Sequence, residues 1–262
     1  MSDGFFLVGP LDAAVAGDVV EVAGPEARHL AVVRRIGPGE VVTLADGAGH
    51  GVRGPVLVAE RDRASVEVRE TLAAPEPRPR VTVVQALPKA GRGELAVDLM
   101  TEVGVDQIVP WSASRSIVKW SGERGEKALA KWRATAREAA KQSRRLTVPE
   151  VTELATTTQV LDLVAGRTTV VMHETAPTPV STLAADPAVP LVVVIGPEGG
   201  IAPDELARFE ALGAKTYSMG DTVLRTSTAG AVAVTQLRLL ASLSLSSGAE
   251  GQGPIRTKGR TS

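Results

Sequence analysis

The sequence predicts an α/β protein in two parts: a small amino-terminal β-barrel and a larger domain of alternating strands and helices. Three observations carry this. Short β-branched runs separated by turn residues fill residues 1–72. A stiff linker with alternate prolines, Ala73-Ala74-Pro75-Glu76-Pro77-Arg78-Pro79-Arg80, follows over 73–80. Over 81–246, apolar strands then alternate with amphipathic helices, which implies a mainly parallel sheet covered on both faces. The Gly- and Ser-rich residues 247–262 are expected to be a disordered tail.

In the first part the expected strands are Val19–Val22, Glu40–Leu44, Val56–Val58 and Ala64–Val68, with turns at Gly37-Pro38-Gly39, Asp46-Gly47 and Arg53-Gly54-Pro55. Pro25 to Ile36 has the spacing of a short helix. In the second part, strands are expected at Val81–Leu87, Gln107–Pro110, Thr168–Met172, Leu191–Ile195 and Lys215–Ser218. The helices are Gly93–Val103, Glu123–Arg145, Pro203–Leu212 and about Thr228–Leu245. Pro203 at a first helical position and acids Asp204 and Glu205 in the first turn suit a helix start.

Composition narrows the function. The chain has no cysteine, which removes disulfides, thiolate zinc sites and a cysteine nucleophile. His29, His50 and His173 are isolated and lack metal-ligand spacing, so no metal is expected. Met1–Gly4 lacks the basic and apolar segments of a signal peptide. The longest apolar stretch, Ala229–Leu245, is interrupted by polar residues and reads as a buried helix. A cytoplasmic protein off the membrane is the expectation. The net charge of −1 hides a basic stretch, Ser112–Arg145, with 10 basic and 3 acidic residues. Such a stretch attracts phosphates or is simply a solvated helix face.

Two loops carry the chemistry. Leu191–Ile195 runs straight into Gly196-Pro197-Glu198-Gly199-Gly200, at the carboxyl end of a buried strand, where open sheets bind ligands. The glycines allow close backbone approach to a ligand, or a tight turn. Met219-Gly220-Asp221-Thr222-Val223-Leu224-Arg225-Thr226-Ser227-Thr228 leads into the last helix, and its Thr/Ser cluster is also an N-cap signal. Arg225, among small and apolar neighbours, calls for an anionic partner.

These segments resemble the SPOUT methyltransferases, and within them the ribosomal RNA small subunit methyltransferase E family. The carriers are Gly196–Gly200, then Met219-Gly220, Leu224-Arg225 and Thr228-Ala229. Gln85-Ala86-Leu87-Pro88-Lys89 with Met100–Val105, Arg115-Ser116, Arg137–Ser143, and Arg28-His29-Leu30 with Val33-Arg34-Arg35 are similar to further family segments. The likeness spans nearly the whole chain apart from the tail. Ser227 and Lys141 stand where many relatives have glutamate, so no general base is assigned there.

The resemblance implies a trefoil-knotted SPOUT domain behind a PUA-like barrel. It also implies S-adenosyl-L-methionine as cofactor and methylation of uridine N3 in 16S (small-subunit) ribosomal RNA. By carry-over, His173, Glu174, Gly196, Pro197, Glu198, Gly199, Gly200, Met219, Gly220, Leu224, Arg225 and Thr226 bind the cofactor. Arg225 either stabilises the developing anion or holds the loop, and Glu198 either assists proton removal or caps the following helix. Lys89 and Arg115 join Arg28, Arg34, Arg35, Lys119, Arg137, Lys141, Arg144 and Arg145 as candidate phosphate contacts. A homodimer acting on the small ribosomal subunit is implied.

Gly49-His50-Gly51-Val52-Arg53-Gly54 matches a dinucleotide-binding string, but no helix follows it, so the required context is missing. Two other readings stay open. One is a SPOUT enzyme on another RNA, such as a transfer RNA ribose. The other is a non-catalytic RNA-binding assembly factor.

Overall fold

The structure is a computed structural model that describes residues 3–89 and 91–249, with side chains described as far as Ser244. It holds two sheets. The amino-terminal sheet contains β1 (Gly4–Leu7), β2 (Val19–Ala23), β3 (Val41–Ala45), β4 (His50–Ala59), β5 (Arg63–Glu67) and β6 (Glu70–Ala73). Its order is β1-β3-β4-β5-β2, with β6 also on β4; the path is open, with no β1–β2 pairing among the described residues.

β4 belongs to both ends of this sheet, pairing with β3 and β6 through its first half and with β5 through its second. Arg53-Gly54-Pro55, expected as a turn, is instead a bend inside this continuous strand. A Cβ on Gly54 would collide with the Glu67 carbonyl, so only glycine lets the strand fold that close to β5. Alternate residues Val42, Leu44, Val52, Val56, Ala64 and Val66 point into one core with Phe6 and Leu30. The expected helix over Pro25–Ile36 is a short α1 (Gly24–Arg28) continued by a π turn, His29–Val33.

The second sheet holds β7 (Val81–Ala86), β8 (Gln107–Ser112), β9 (Glu150–Val151), β10 (Ala155–Thr156), β11 (Thr168–Met172), β12 (Leu191–Ile195) and β13 (Lys215–Tyr217). Its order is β10-β8-β7-β12-β11-β13, with β9 also on β8, and every pairing is parallel. The uniformly apolar strands are explained by the alternation of side chains. Val81, Val83, Leu191, Val193 and Ile195 enter one core. Val84, Ala86, Val192 and Val194 enter the opposite one.

The first core is roofed by α2 (Arg92–Glu102), α3 (Gly122–Gln142) and α6 (Thr226–Ala249), the second by α4 (Thr157–Val164) and α5 (Pro203–Ala211). α3 buries Leu129, Trp132, Ala136, Ala139 and Ala140 at helical spacing. It stops at Gln142 rather than Arg145 because Arg144 turns left-handed, at φ 55°. α6 continues to Ala249, past the expected start of the tail at 247; the rest of that tail lies outside the described residues.

The two halves are pinned together. Lys141 on α3 is only 6% exposed, and its ammonium donates to both carboxylate oxygens of Glu26 on α1, at 2.9 and 2.8 Å. The His29 ring nitrogen Nδ1 lies 2.8 Å from the same ammonium. Arg137 donates to the Leu7 carbonyl, and Val148 N–H donates to the Gly47 carbonyl. No helix among the described residues is long and apolar enough to cross a membrane.

Candidate active site

β11, β12 and β13 end level with one another, with Met172 in register with both Ile195 and Tyr217. Three loops therefore leave the sheet at one place, and between them lies a cleft of about 290 Å³. This is where parallel sheets open for ligands.

The loop after β12 is held in shape by its own sequence. A Cβ on Gly196 would sit 2.7 Å from the Ile201 side chain, and Gly200 N–H closes a turn on the Pro197 carbonyl at 2.9 Å. Glu205, 2% exposed at the start of α5, is saturated. It accepts from Ser114 N–H and Oγ at 3.0 and 2.9 Å, from Thr157 Oγ1 at 2.7 Å and from Ala202 N–H at 3.4 Å. One carboxylate thus locks the start of α5 to the loop after β8 and to α4.

The loop after β13 lies on the other side of the cleft. Gly220 has φ +135°, with open space where a Cβ would point. The Arg225 carbonyl accepts from Thr228 and Ala229 N–H at 2.8 and 2.9 Å, so Arg225 caps α6 through its backbone. Its exposed guanidinium has no hydrogen-bond or ion-pair partner among the described residues. Underneath, the fully buried Gln85 donates to the Ala86 and Thr226 carbonyls at 3.1 and 3.4 Å, tying α6 to the end of β7.

Eleven of the twelve expected cofactor residues line the cleft: His173, Glu174, Gly196, Pro197, Glu198, Gly200, Met219, Gly220, Leu224, Arg225 and Thr226. Gly199 does not, because it faces the loop after β8, where its carbonyl accepts from Arg115 at 3.2 Å. Thr222 and Val223, inside the expected Met219–Arg225 stretch, line the cleft too, whereas Met172, Ile195, Ile201 and Ala229 line it and were not expected. Met172 and Ile195 are last residues of apolar strands, a signal that reads as core.

Glu198 is exposed, and one of its oxygens accepts the Lys89 N–H at 3.0 Å. It therefore bridges two loops, whereas the cap of α5 comes from Glu205. His173 Nδ1 accepts from Thr175 N–H at 3.3 Å, with the Thr175 hydroxyl at 3.0 Å.

The basic candidates divide. Lys141 is withdrawn from solvent by Glu26, which rules it out as a phosphate contact in this conformation. Arg145 is half-buried and donates to the Thr101 and Val105 carbonyls and the Thr147 hydroxyl, so its work is structural. Burial pushes its pKa down, with Asp106 opposing and Arg238 reinforcing. Arg28, Arg34, Arg35, Lys89, Arg115, Lys119, Arg137 and Arg144 remain exposed. The Lys141–Glu26 contact sets the α1 segment bearing Arg28, Arg34 and Arg35 against α3.

An all-parallel sheet with helices on both faces and a glycine-bordered cleft at its strand ends is the framework of an RNA methyltransferase domain, and the family model of that description matches residues 74–238. "Ribosomal RNA small subunit methyltransferase E" of Mycobacterium tuberculosis is 45% identical over 231 residues, covering 86% of this chain and 88% of that protein. The Bacillus subtilis protein of the same name is 27% identical over 79% of this chain and 85% of its own length. A crystal structure of that methyltransferase from Neisseria gonorrhoeae, bound to S-adenosyl methionine, superposes with a TM-score of 0.82 at 27% identity, covering 91% of this chain and 98% of that one. The chain belongs to the ribosomal RNA small subunit methyltransferase E family.

Proposed function

We propose that this protein transfers a methyl group from S-adenosylmethionine to N3 of one uridine in 16S ribosomal RNA. The observation that carries the reading is the cleft itself, formed where β11, β12 and β13 end and lined by eleven residues that the family resemblance assigns to the cofactor.

The cleft fits that cofactor. Its apolar floor, from Met172, Ile195, Ile201, Leu224 and Ala229, suits a flat purine, and the Gly196–Gly200 and Met219–Gly220 backbones offer polar groups at the rim. Gly220 leaves room that a side chain would fill. When bound, the cofactor supplies a methyl group activated on a sulfonium.

What remains for the protein is positioning and electrostatics. N3 of uracil is protonated and weakly nucleophilic, and its lost proton leaves negative charge on the flanking carbonyl oxygens. The unpaired guanidinium of Arg225 and the amino-terminal end of α6 face the cleft together and stabilise that charge. N3 lies on the pairing edge, so the base must be unpaired or turned out. Arg28, Arg34, Arg35, Lys89, Arg115, Lys119, Arg137 and Arg144 hold phosphates around it.

Residues 1–72 act as a PUA-like RNA-binding unit joined by 73–80 to the catalytic unit. A trefoil knot in the catalytic unit rests on the family likeness. The exposed Leu239 and Leu243 on α6, with Leu95 on α2, support a homodimer. A cytoplasmic site of action follows from the substrate.

Labelled cofactor incubated with unmodified small ribosomal subunits and, separately, with unmodified transfer RNA tests the reading. Label entering only the small-subunit RNA is expected. Label entering transfer RNA, or none entering any RNA despite cofactor binding, would overturn it.

A further inference from the structure

A second, smaller cavity of about 110 Å³ lies on the far side of the segment that follows β7. Leu87, Pro88 and Gly91 form one wall, and Val118, Trp120 and Trp132 form the other. The two tryptophan rings meet edge to face, with centroids 5.0 Å apart and planes at 80°. Trp132 is fixed in the core at 2% exposure, and Gly93 lets α2 close on its indole, since a Cβ there would meet Nε1 at 2.5 Å. Trp120 keeps part of its ring accessible.

Among the described residues, Glu94 is the one charged residue in the lining. Lys131 pairs with it at 2.9 Å. Burial pushes this carboxyl up, but the Lys131 hydrogen bond and charge outweigh that and hold it below the ordinary value, so it presents acceptors only. Exposed Lys89, Lys119 and Lys131 stand at or near the rim.

The cavity is tied to the methylation cleft. Lys89, two residues before Gly91, gives its backbone N–H to Glu198 of the cleft at 3.0 Å. The two openings thus share one segment, with Lys89 reaching the cleft and Leu87, Pro88 and Gly91 lining the cavity.

We propose that this cavity is a stacking subsite for an unpaired nucleobase flanking the target, and that it selects a base with an exocyclic amine. The inference rests on the proposed RNA methylation. Aromatic faces stack any base. The Glu94 acceptor then favours cytosine, adenine or guanine, whose exocyclic amine stands at the base edge, over uracil, whose ring donor N3–H is flanked by two carbonyl oxygens that the carboxylate repels. The surrounding lysines neutralise the backbone.

The full-length protein carries three tryptophans, of which Trp111 and Trp132 are buried, so quenching of its fluorescence reports chiefly on Trp120. Short oligocytidylate and oligoadenylate are expected to quench at lower concentration than oligouridylate. Glu94→Met should erase that order. Trp120→Ala should raise the KM for small subunits by roughly five- to a hundredfold at unchanged cofactor affinity, with Trp120→Phe restoring most of it. Quenching indifferent to the base in both wild type and Glu94→Met, or an unmoved KM in a folded Trp120→Ala protein, would overturn the subsite. If Trp120→Ala fails to fold, Glu94→Met decides. Absence of methyl transfer by the wild type would instead strike the parent reading.

Discussion

The Glu198 carboxylate accepts the Lys89 backbone N–H at 3.0 Å and so joins the loop after β12 to the segment after β7. An exposed carboxylate next to a reaction cleft invites the role of base, yet here it is half engaged in holding two loops in register. Glu198→Ala is expected to weaken cofactor binding by about fivefold, the net worth of one ordinary hydrogen bond, since the carboxylate is exposed to solvent. Glu198→Gln, which keeps an acceptor, should lose less. Titration calorimetry on the three proteins measures the difference.

Among the described residues, Arg225 is the one arginine or lysine that lines the cleft. Arg225→Ala should lower kcat by about a hundredfold, the usual cost of removing one donor aimed at a developing anion. Cofactor affinity should move far less. Steady-state kinetics beside equilibrium binding separates these, and an equal loss in both would make Arg225 a structural residue of the loop.

Gly220 combines φ +135° with an open side facing the cleft. Gly220→Val adds backbone strain and fills cofactor space. Affinity should fall at least about tenfold, given a strain cost of roughly 1–3 kcal/mol. The thermal midpoint without ligand should fall as well, and cofactor should restore less of it than in the wild type.

The Lys141–Glu26 pair predicts a stability signature. Removing one partner strands a largely buried charge, so Lys141→Met should cost roughly 2–4 kcal/mol in urea unfolding. Lys141→Met with Glu26→Gln should recover much of that, because no charge is then left unpaired.

Asp46 gives a pH dependence. Burial pushes its carboxyl up, but the N–H groups of Ala48 and His50 and the His50 ring more than offset this, so its pKa lies below the ordinary 3.8. A depressed folded pKa contributes stability that is fully present above the unfolded value and is lost as pH falls through the folded value. Asp46→Asn should therefore be less stable than wild type near neutrality, and the gap should close as pH falls past the ordinary 3.8 and through the lower folded value. Urea midpoints across that range check the sign.

The sequence made the α/β class and the cleft legible because apolar strand runs and glycine loops are local signals. Partner-dependent features were not. Helical spacing places Arg137, Lys141 and Arg144 together, but nothing in that spacing says that Glu26, 115 residues away, faces Lys141. Gly199 sits in the correct loop yet faces Arg115, a matter of which side of a turn each residue takes. α4 carried a readable signal, Thr156 capping Gln159 N–H with the Gln159 side chain returning to Thr156 N–H, but its short apolar run was not read as a helix. β1, Gly4-Phe5-Phe6-Leu7, opens on a glycine and shows no polar–apolar alternation, so nothing in it marks a strand.

The atom that receives the methyl group decides the proposed function most directly. Unmodified small subunits treated with the protein and S-adenosylmethionine would be digested to nucleosides and the methylated product identified by mass spectrometry. A single 3-methyluridine from small-subunit RNA is expected, formed about a hundredfold more slowly when Arg225→Ala replaces the wild type. Methyl found on a ribose hydroxyl or on a ring carbon would contradict it.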